Sequence, residues 1–252
     1  MKILVCYKYI KDEDSISVNP DRSINLESAP WVISPYDLNA IEAGMKLAAQ
    51  IPDSSVEVLS VGGEALDNSK MRKAVLSRGP EKMNGVRTPD CGDMYSTAVL
   101  LKKAVEKMGD VGLVICGEGS GDMYSQEMGS VLAALMGVPA VNEVEALSYN
   151  DGAAYARRNN GRRSETLKLS GLCVVSVTSD ICPAHLPSMK EILAAGKKPV
   201  EVWDASELEP CGAKAQTISV LKPESAARMK LVYKADDETG LDDFVKALKK
   251  YI

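Results

Sequence analysis

One glycine-rich segment has the clearest potential for chemistry. Residues 112–116 (GLVIC) form an apolar run typical of a buried strand, and residues 117–122 (GEGSGD) follow directly, before a helical pattern that ends at Met136. Small residues at the carboxyl end of a parallel strand let the backbone approach a ligand, and the amides of a following helix attract anions. The segment therefore predicts a nucleotide phosphate site.

The pattern of this loop narrows the class of nucleotide-binding protein. GEGSGD matches neither the dinucleotide fingerprint GxGxxG nor the P-loop GxxxxGK[ST], and no lysine follows it, so a P-loop kinase or ATPase is disfavoured. A tight strand-to-helix connection without a ligand is the alternative. Gly62 and Gly63 follow an earlier strand-like run in the same way, so two glycine turns at one sheet edge predict a cleft.

Few other side chains suggest catalysis. Glu118 and Asp122 form a possible acid–base pair, but an aspartate near a helix start is more often an N-cap, and we favour that interpretation. His185 is the only histidine, so a histidine metal site, a serine-type triad or a histidine base is disfavoured. We expect no metal site and no catalytic residues.

The cysteines and charges give further limits. Cys6, Cys116 and Cys173 lie within apolar runs without a CxxC pair, which predicts buried structural thiols. The net charge of −5 argues against nucleic-acid binding, and the arginines around residues 159–161 are interpreted as a solvated hairpin tip. No apolar stretch approaches the roughly 20 residues that span a bilayer, so we expect a cytoplasmic protein without membrane insertion.

The elements that must position these residues alternate between strand and helix through residue 136, which predicts right-handed βαβ crossovers and an α/β domain with a mainly parallel sheet. The predicted strands are 2–8, 55–61, 82–86 and 112–116, with helices 36–50, 65–76, 94–108 and a run ending at 136, and a small hairpin over 16–26.

The pattern changes after residue 140. Strands 141–149, 153–158, 166–169 and 172–177 are expected to add antiparallel strands to the sheet edge, and a helix is expected over 188–195. Residues 200–234 show little periodicity and predict an arm, followed by an amphipathic helix over 240–251. These patterns predict an α/β domain over 1–200 and a C-terminal arm with a terminal helix over 201–252.

Several segments together resemble a known family, the beta subunits of electron-transfer flavoproteins, including the Fix-type bacterial versions. They are KILVCYKYIKD, ISPYDLNAIEAGMKL, SVGGEALDNSKMRKAVLSRGPEKM, LVICGEGSGDMYSQEMG and SDICPAHLPSMKEILAAGKKPV, in order over roughly residues 1–200. The resemblance implies a doubly wound, Rossmann-like α/β fold of the adenine-nucleotide-hydrolase-like type, without hydrolase activity, and an arm that reaches across a larger alpha subunit.

The resemblance also implies a cofactor arrangement. The alpha subunit of such a heterodimer carries the redox-active FAD, and the beta subunit binds AMP, or a second FAD in electron-bifurcating members. Carried over by motif, the nucleotide-site residues are Cys6, Ser34, Pro35, Tyr36, Asp37, Gly62, Gly117, Glu118, Gly119, Ser120, Gly121, Asp122, Ser125, Gln126, Glu127 and Met128. Typical members carry a basic residue where this chain has Glu118.

A second site follows from the same resemblance. Leu186, between His185 and Pro187, matches the exposed leucine of the family's recognition loop, which docks on an acyl-CoA dehydrogenase or similar flavoenzyme. The alternative is that Leu186 packs against its own domain. Electron transfer in a heterodimer is the favoured function. A bifurcating subunit and a stand-alone adenine-nucleotide-binding protein are the alternatives.

Overall fold

The computed structural model describes residues 1–89, 92–224 and 230–250. The strands are β1 (Lys2–Cys6), β2 (Tyr9–Lys11), β3 (Ser17–Val18), β4 (Ile24–Asn25), β5 (Trp31–Ile33), β6 (Ser55–Gly62), β7 (Lys82–Arg87), β8 (Val111–Gly117), β9 (Ala140–Asn150), β10 (Ala153–Asn159), β11 (Ser164–Leu169), β12 (Val174–Val177) and β13 (Val200–Asp204). The helices are α1 (Pro35–Ala48), α2 (Ser69–Leu76), α3 (Met94–Met108), α4 (Met128–Met136), α5 (Met189–Ala195) and α6 (Gly240–Leu248).

Within the described residues, nine strands form one large sheet in the order β11-β10-β9-β12-β8-β1-β6-β7-β13. In this spatial order, every neighbouring pair from β9 to β13 (β9-β12-β8-β1-β6-β7-β13) is parallel. At the other edge, β10 pairs antiparallel with both β9 and β11. The chain winds outward from β1 in both directions, so the strand order reverses between β1 and β8. The predicted α/β class, a doubly wound and mainly parallel Rossmann-like sheet with antiparallel edge strands, is confirmed.

The apolar run of β1 is buried on both faces, which explains why it lacks the alternation of a half-exposed strand. Ile3 and Val5 belong to the core beneath α1 and α2, whereas Leu4 and Cys6 belong to the core beneath α3 and α4. Helices therefore cover both faces, and the ligand edge is left to the loops after each strand.

Two predicted elements differ in type or direction. Residues 172–177 were expected to add an antiparallel edge strand, but β12 pairs parallel with β8 and β9 inside the sheet. All four of its residues are buried, which is typical of a strand inside a parallel sheet whose two faces are both covered. The predicted helix over 65–76 divides into a 3-10 turn, Glu64–Asp67, and α2, because the Asn68 side chain accepts the Lys70 and Met71 amides.

The helix expected directly after Asp122 begins later, at Met128. Tyr124 and Gln126 have positive φ angles of 47° and 59°, which are incompatible with a right-handed helix, so the glycine loop extends through residue 127. The interpretation of Asp122 as a helix N-cap is therefore wrong. Its carboxylate instead caps a turn, accepting hydrogen bonds from the Ser120 hydroxyl and the Met123 amide.

The remaining predictions concern the two ends of the chain. The hairpin over 16–26 is present as β3 and β4, and Cys6, Cys116 and Cys173 are buried. β13 extends the sheet beyond residue 200, and buried contacts continue to Leu208. The predicted boundary between a domain over 1–200 and an arm over 201–252 stays a prediction, and the predicted helix end at Tyr251 lies outside the described residues.

None of the helices in the described ranges is both long enough and apolar enough to pass through a bilayer.

Candidate functional site

A cleft of about 490 Å³ opens at the carboxyl ends of β1 and β8, where the strand order reverses. This is the position at which doubly wound sheets bind ligands, and the volume lies within the roughly 300–1,000 Å³ of small-molecule sites. Most of the lining is backbone and uncharged side chain. The lining residues that sequence had indicated are Cys6, Asp37, Gly117, Glu118, Gly119, Ser120, Ser125, Gln126, Glu127 and Met128.

Asp37 lies at the floor of the cleft, in the first turn of α1. Its side chain is buried, and its Oδ2 accepts the Lys8 amide at 2.8 Å while the Gly117 amide also donates to the carboxylate. Burial raises the pKa of Asp37 to about 7, although these hydrogen bonds and the Lys8 charge oppose the rise. Asp37 therefore holds the ends of β1 and β8 together and changes charge near neutral pH.

The glycine loop is shaped by close packing against α1. A Cβ at Gly117 would lie 2.8 Å from the Asp37 Oδ1 atom, so only glycine lets β8 approach α1 this closely. A Cβ at Gly121 would lie 2.7 Å from Ile10 Cδ1. A Cβ at Gly119 would collide with the Tyr124 ring. The centroid of that ring lies 4.9 Å from the centroid of the Tyr36 ring. The loop therefore packs closely over the start of α1.

Lys8 supplies a positive charge that the sequence had not indicated. It follows β1, lines the cleft, and places its Nζ 2.6 Å from Asp122 Oδ2, with 46% of the lysine side chain exposed. Although partial burial opposes it, the hydrogen bond from Lys8 lowers the pKa of Asp122. Lys8 thus brings a positive charge to a loop that carries no basic residue of its own. The two partners are 114 residues apart, so no local motif could have revealed the pair.

Glu118 does not project its carboxylate freely into the cleft. Its Oε1 accepts a hydrogen bond from the Ser179 amide at 3.3 Å, and its own amide donates to the carbonyl of Val177, so Glu118 is tied to the end of β12 and to the turn that follows. The amides at the start of α4 have no acceptor within the helix, as in every α-helix. Met128, at the start of α4, lines the cleft, and Lys8 is the lysine that lines it, so the positive end of the helix and a cation meet there, which suits an anionic group.

The other sequence-predicted residues surround the cleft without lining it. Ser34 precedes α1 and is fully buried, and its Oγ has no hydrogen-bond partner among the described residues. Pro35 and Tyr36 pack against the glycine loop, and Gly62 accepts the Thr88 amide at the end of β6. Gly121 and Asp122 complete the loop behind Ser120. That these residues bind a nucleotide stays a prediction.

Residues from the C-terminal segment also line the cleft, which no sequence signal indicated. Ala215, Gln216 and Thr217 join the lining, and Asp93, the N-cap of α3, accepts the amides of Lys214 and Ala215 with its Oδ2. Its Oδ1 accepts the Ser96 amide. The arm therefore contacts the cleft before it continues away from the sheet.

The predicted recognition loop is held at its base and exposed at its tip. Leu186 is 84% exposed, so the alternative that it packs against its own domain is wrong. The His185 carbonyl accepts Arg78 Nη1, and the His185 ring lies 3.0 Å from Glu191, whose carboxylate caps α5 with Ser188. Pro187 is half-buried between them. A leucine this exposed beside a constrained turn is available to a partner.

Among the described residues, no cluster of three or more His, Cys, Asp or Glu side chains is arranged to hold a metal ion.

The sequence of residues 23–208 matches the family model described as the electron transfer flavoprotein domain. The chain belongs to the electron transfer flavoprotein domain family. The match spans β4 through the turn after β13, so it includes the glycine loop, the Leu186 loop and most of the central sheet. Members of this family are associated with flavins and typically work with partner subunits and flavoenzymes.

Proposed function

We propose that this chain is the beta-type subunit of a heterodimeric electron-transfer flavoprotein, and that it holds AMP or a second FAD in the cleft between β1 and β8. The observation that carries the proposal is the meeting of the glycine loop, the start of α4 and Lys8 at the strand-order reversal. These groups provide backbone amides and one movable cation for a phosphate. The redox-active FAD belongs to the larger partner.

The cleft fits the adenosine phosphate part of either nucleotide. The amides at the start of α4 and the Lys8 ammonium group suit the phosphate, which competes with Asp122 for Lys8. Cys6, Val61 and Leu101 offer an apolar surface to the base.

The exposed apolar surfaces support a role beside other proteins. The α6 residues Leu241, Phe244, Val245 and Leu248 recur at helical spacing and are each at least 40% exposed. Such a face is normally covered in a folded assembly, and the alpha subunit is the proposed cover. The Leu186 loop is the proposed docking point for an acyl-CoA dehydrogenase or similar flavoenzyme. A stand-alone nucleotide-binding protein would leave both surfaces in water.

The proposed subunit performs no bond-breaking catalysis. Electrons pass between the dehydrogenase and a downstream acceptor through the partner's flavin, and this chain binds, orients and docks. A second FAD in the cleft would place the chain among bifurcating subunits, whereas AMP would give it a structural nucleotide. The nucleotide released from purified complex distinguishes the two.

The phosphate assignment can be tested on Lys8 by titration calorimetry with AMP and with adenosine. Lys8→Gln removes the charge but keeps most of the side-chain length. A hydrogen bond to a charged group contributes about 1.5–3 kcal/mol. The affinity for AMP should therefore fall about 10- to 100-fold. Adenosine affinity should not change. Lys46→Gln, on the exposed side of α1, is the matched control. Equal AMP affinity in wild type and Lys8→Gln would refute the assignment.

A further inference from the structure

Residues 211–224, here named the strap, run from the start of α3 to the β3–β4 hairpin. At the first anchor, the amides of Lys214 and Ala215 donate to Asp93 Oδ2 at 2.7 and 2.8 Å. At the second anchor, Leu221 forms a β-bridge with Ser23, and Lys222 donates its amide to the Arg22 carbonyl at 2.9 Å. The strap is therefore fixed to two segments, at residue 93 and at residues 22–23, that are distant from each other in sequence.

An ion pair strengthens the second anchor. Arg22 Nη1 lies 3.0 Å from Glu224 Oε1, and this contact is substantially exposed to solvent. Exposed pairs of this kind contribute little free energy. The hydrogen bonds to the Asp93 carboxylate are the stronger fixation, because the acceptor is charged and two adjacent amides share one oxygen.

Between the anchors, the strap borders the cleft. Ala215, Gln216 and Thr217 line it together with the residues of the glycine loop. Directly afterwards, Ile218 is 97% exposed, so the strap is not held by burying its own apolar side chains. Its position depends on backbone hydrogen bonds at the anchors, which makes Asp93 the residue that determines whether this side of the cleft is closed.

We propose that the strap is a closing wall of the nucleotide site and that Asp93 is a positioning residue that holds this wall in place. The proposal rests on the proposed function, because it takes the ligand of the cleft to be an adenine nucleotide. A nucleotide bound between the glycine loop and the strap leaves only when the strap lifts from Asp93. Loosening that anchor therefore increases the dissociation rate.

Asp93→Ser separates the two roles of the residue. Serine is a good N-cap, so its hydroxyl oxygen keeps the bond from the Ser96 amide, but it offers no second oxygen for the strap. Asp204→Ser is the matched control: Asp204 also caps a short helix through the Ser206 amide and does not line the cleft. Ala215→Pro is a second variant, which removes one strap amide and leaves Asp93 intact.

The experiment uses the full chain loaded with a fluorescent AMP analogue, mant-AMP, and follows its release by stopped flow after excess AMP is added. Ala215→Pro, which loses one of the two strap hydrogen bonds, should release the probe about tenfold faster, and Asp93→Ser, which loses both, should release it at least tenfold faster. A tenfold change corresponds to about 1.4 kcal/mol. Asp204→Ser should release the probe at the wild-type rate. Hydrogen exchange at the Lys214 amide should rise in both strap variants, and exchange at the Ala215 amide should rise in Asp93→Ser.

The outcomes distinguish this inference from the function on which it rests. If wild type binds mant-AMP and both strap variants release it at the wild-type rate, the strap is not a wall of the site and the inference is wrong, while the nucleotide assignment stands. If wild type binds neither mant-AMP nor FAD, the nucleotide assignment fails and the strap proposal fails with it. If Asp93→Ser is unstable, the Ala215→Pro rate decides, because residue 215 lies outside the sheet core.

Discussion

Asp37 should make the stability of this protein fall as the pH rises towards neutrality. Its carboxyl is buried beneath the glycine loop, and burial raises its pKa from 3.8 to about 7. In the unfolded chain the group ionises near its ordinary value, so between these two pH values only the unfolded state has lost the proton. A carboxyl with a raised pKa in the folded state therefore costs stability above pH 4, and this cost levels off above pH 7.

The magnitude follows from the difference in pKa. One pKa unit corresponds to about 1.4 kcal/mol, so the full cost above neutral pH is about 4 kcal/mol. Between pH 5 and pH 8 the cost rises by about 3 kcal/mol. Asp37→Asn abolishes the titration but leaves one acceptor oxygen for the two amides of Lys8 and Gly117, which costs about 1–3 kcal/mol at every pH.

The measurement is urea unfolding of wild type and Asp37→Asn at pH 5, 6, 7 and 8, with free energies from linear extrapolation. The unfolding free energy of the variant minus that of the wild type should increase by about 3 kcal/mol between pH 5 and pH 8. Titration of other groups cancels in this difference. Asp151→Asn, on the exposed β9–β10 turn, controls for the loss of one acidic residue. Parallel pH profiles for wild type and Asp37→Asn would refute the reasoning.

Three further predictions concern the loop, the helix contact and the docking tip. Asp122→Asn should tighten AMP binding, measured by calorimetry, about three- to tenfold, because it frees Lys8 and removes a negative charge beside the phosphate. Weaker binding would contradict the proposed position of the phosphate. Gly129→Ala should destabilise the fold by about 1–3 kcal/mol in urea unfolding, because the new methyl group meets Ser176 Oγ, and unchanged stability would show that α4 can shift freely. Leu186→Ala should raise the half-saturating concentration in dehydrogenase-coupled flavin reduction about tenfold without changing stability, and unchanged coupling would place docking elsewhere.

The sequence was sufficient to predict most strands of the central sheet, because short, continuous apolar runs such as β1 and β8 are typical of buried strands. Strand direction was harder. Residues 174–177 carry the same apolar pattern in either direction, so the pattern alone did not reveal that β12 lies between β8 and β9 and runs parallel to both. The late start of α4 was missed because the positive φ angles of Tyr124 and Gln126 have no sequence marker as clear as glycine.

The candidate site was predicted in part for the same physical reasons. The glycine loop is a local signal, so Gly117 through Met128 could be placed beside the β8 end before the fold was known. Lys8 and Asp93 carry no such signal, because each acts on a segment more than 100 residues away, Asp122 and the strap respectively. Such pairings are properties of the tertiary fold, and a single sequence does not encode them in any short pattern.

The most direct test of the central claim is co-expression with a candidate large flavoprotein subunit, followed by size-exclusion chromatography, a flavin spectrum and nucleotide extraction. The account predicts a stable 1:1 yellow complex that releases FAD together with AMP, or two FAD per heterodimer. A colourless monomer that binds none of the large subunits offered and yields no nucleotide would contradict it.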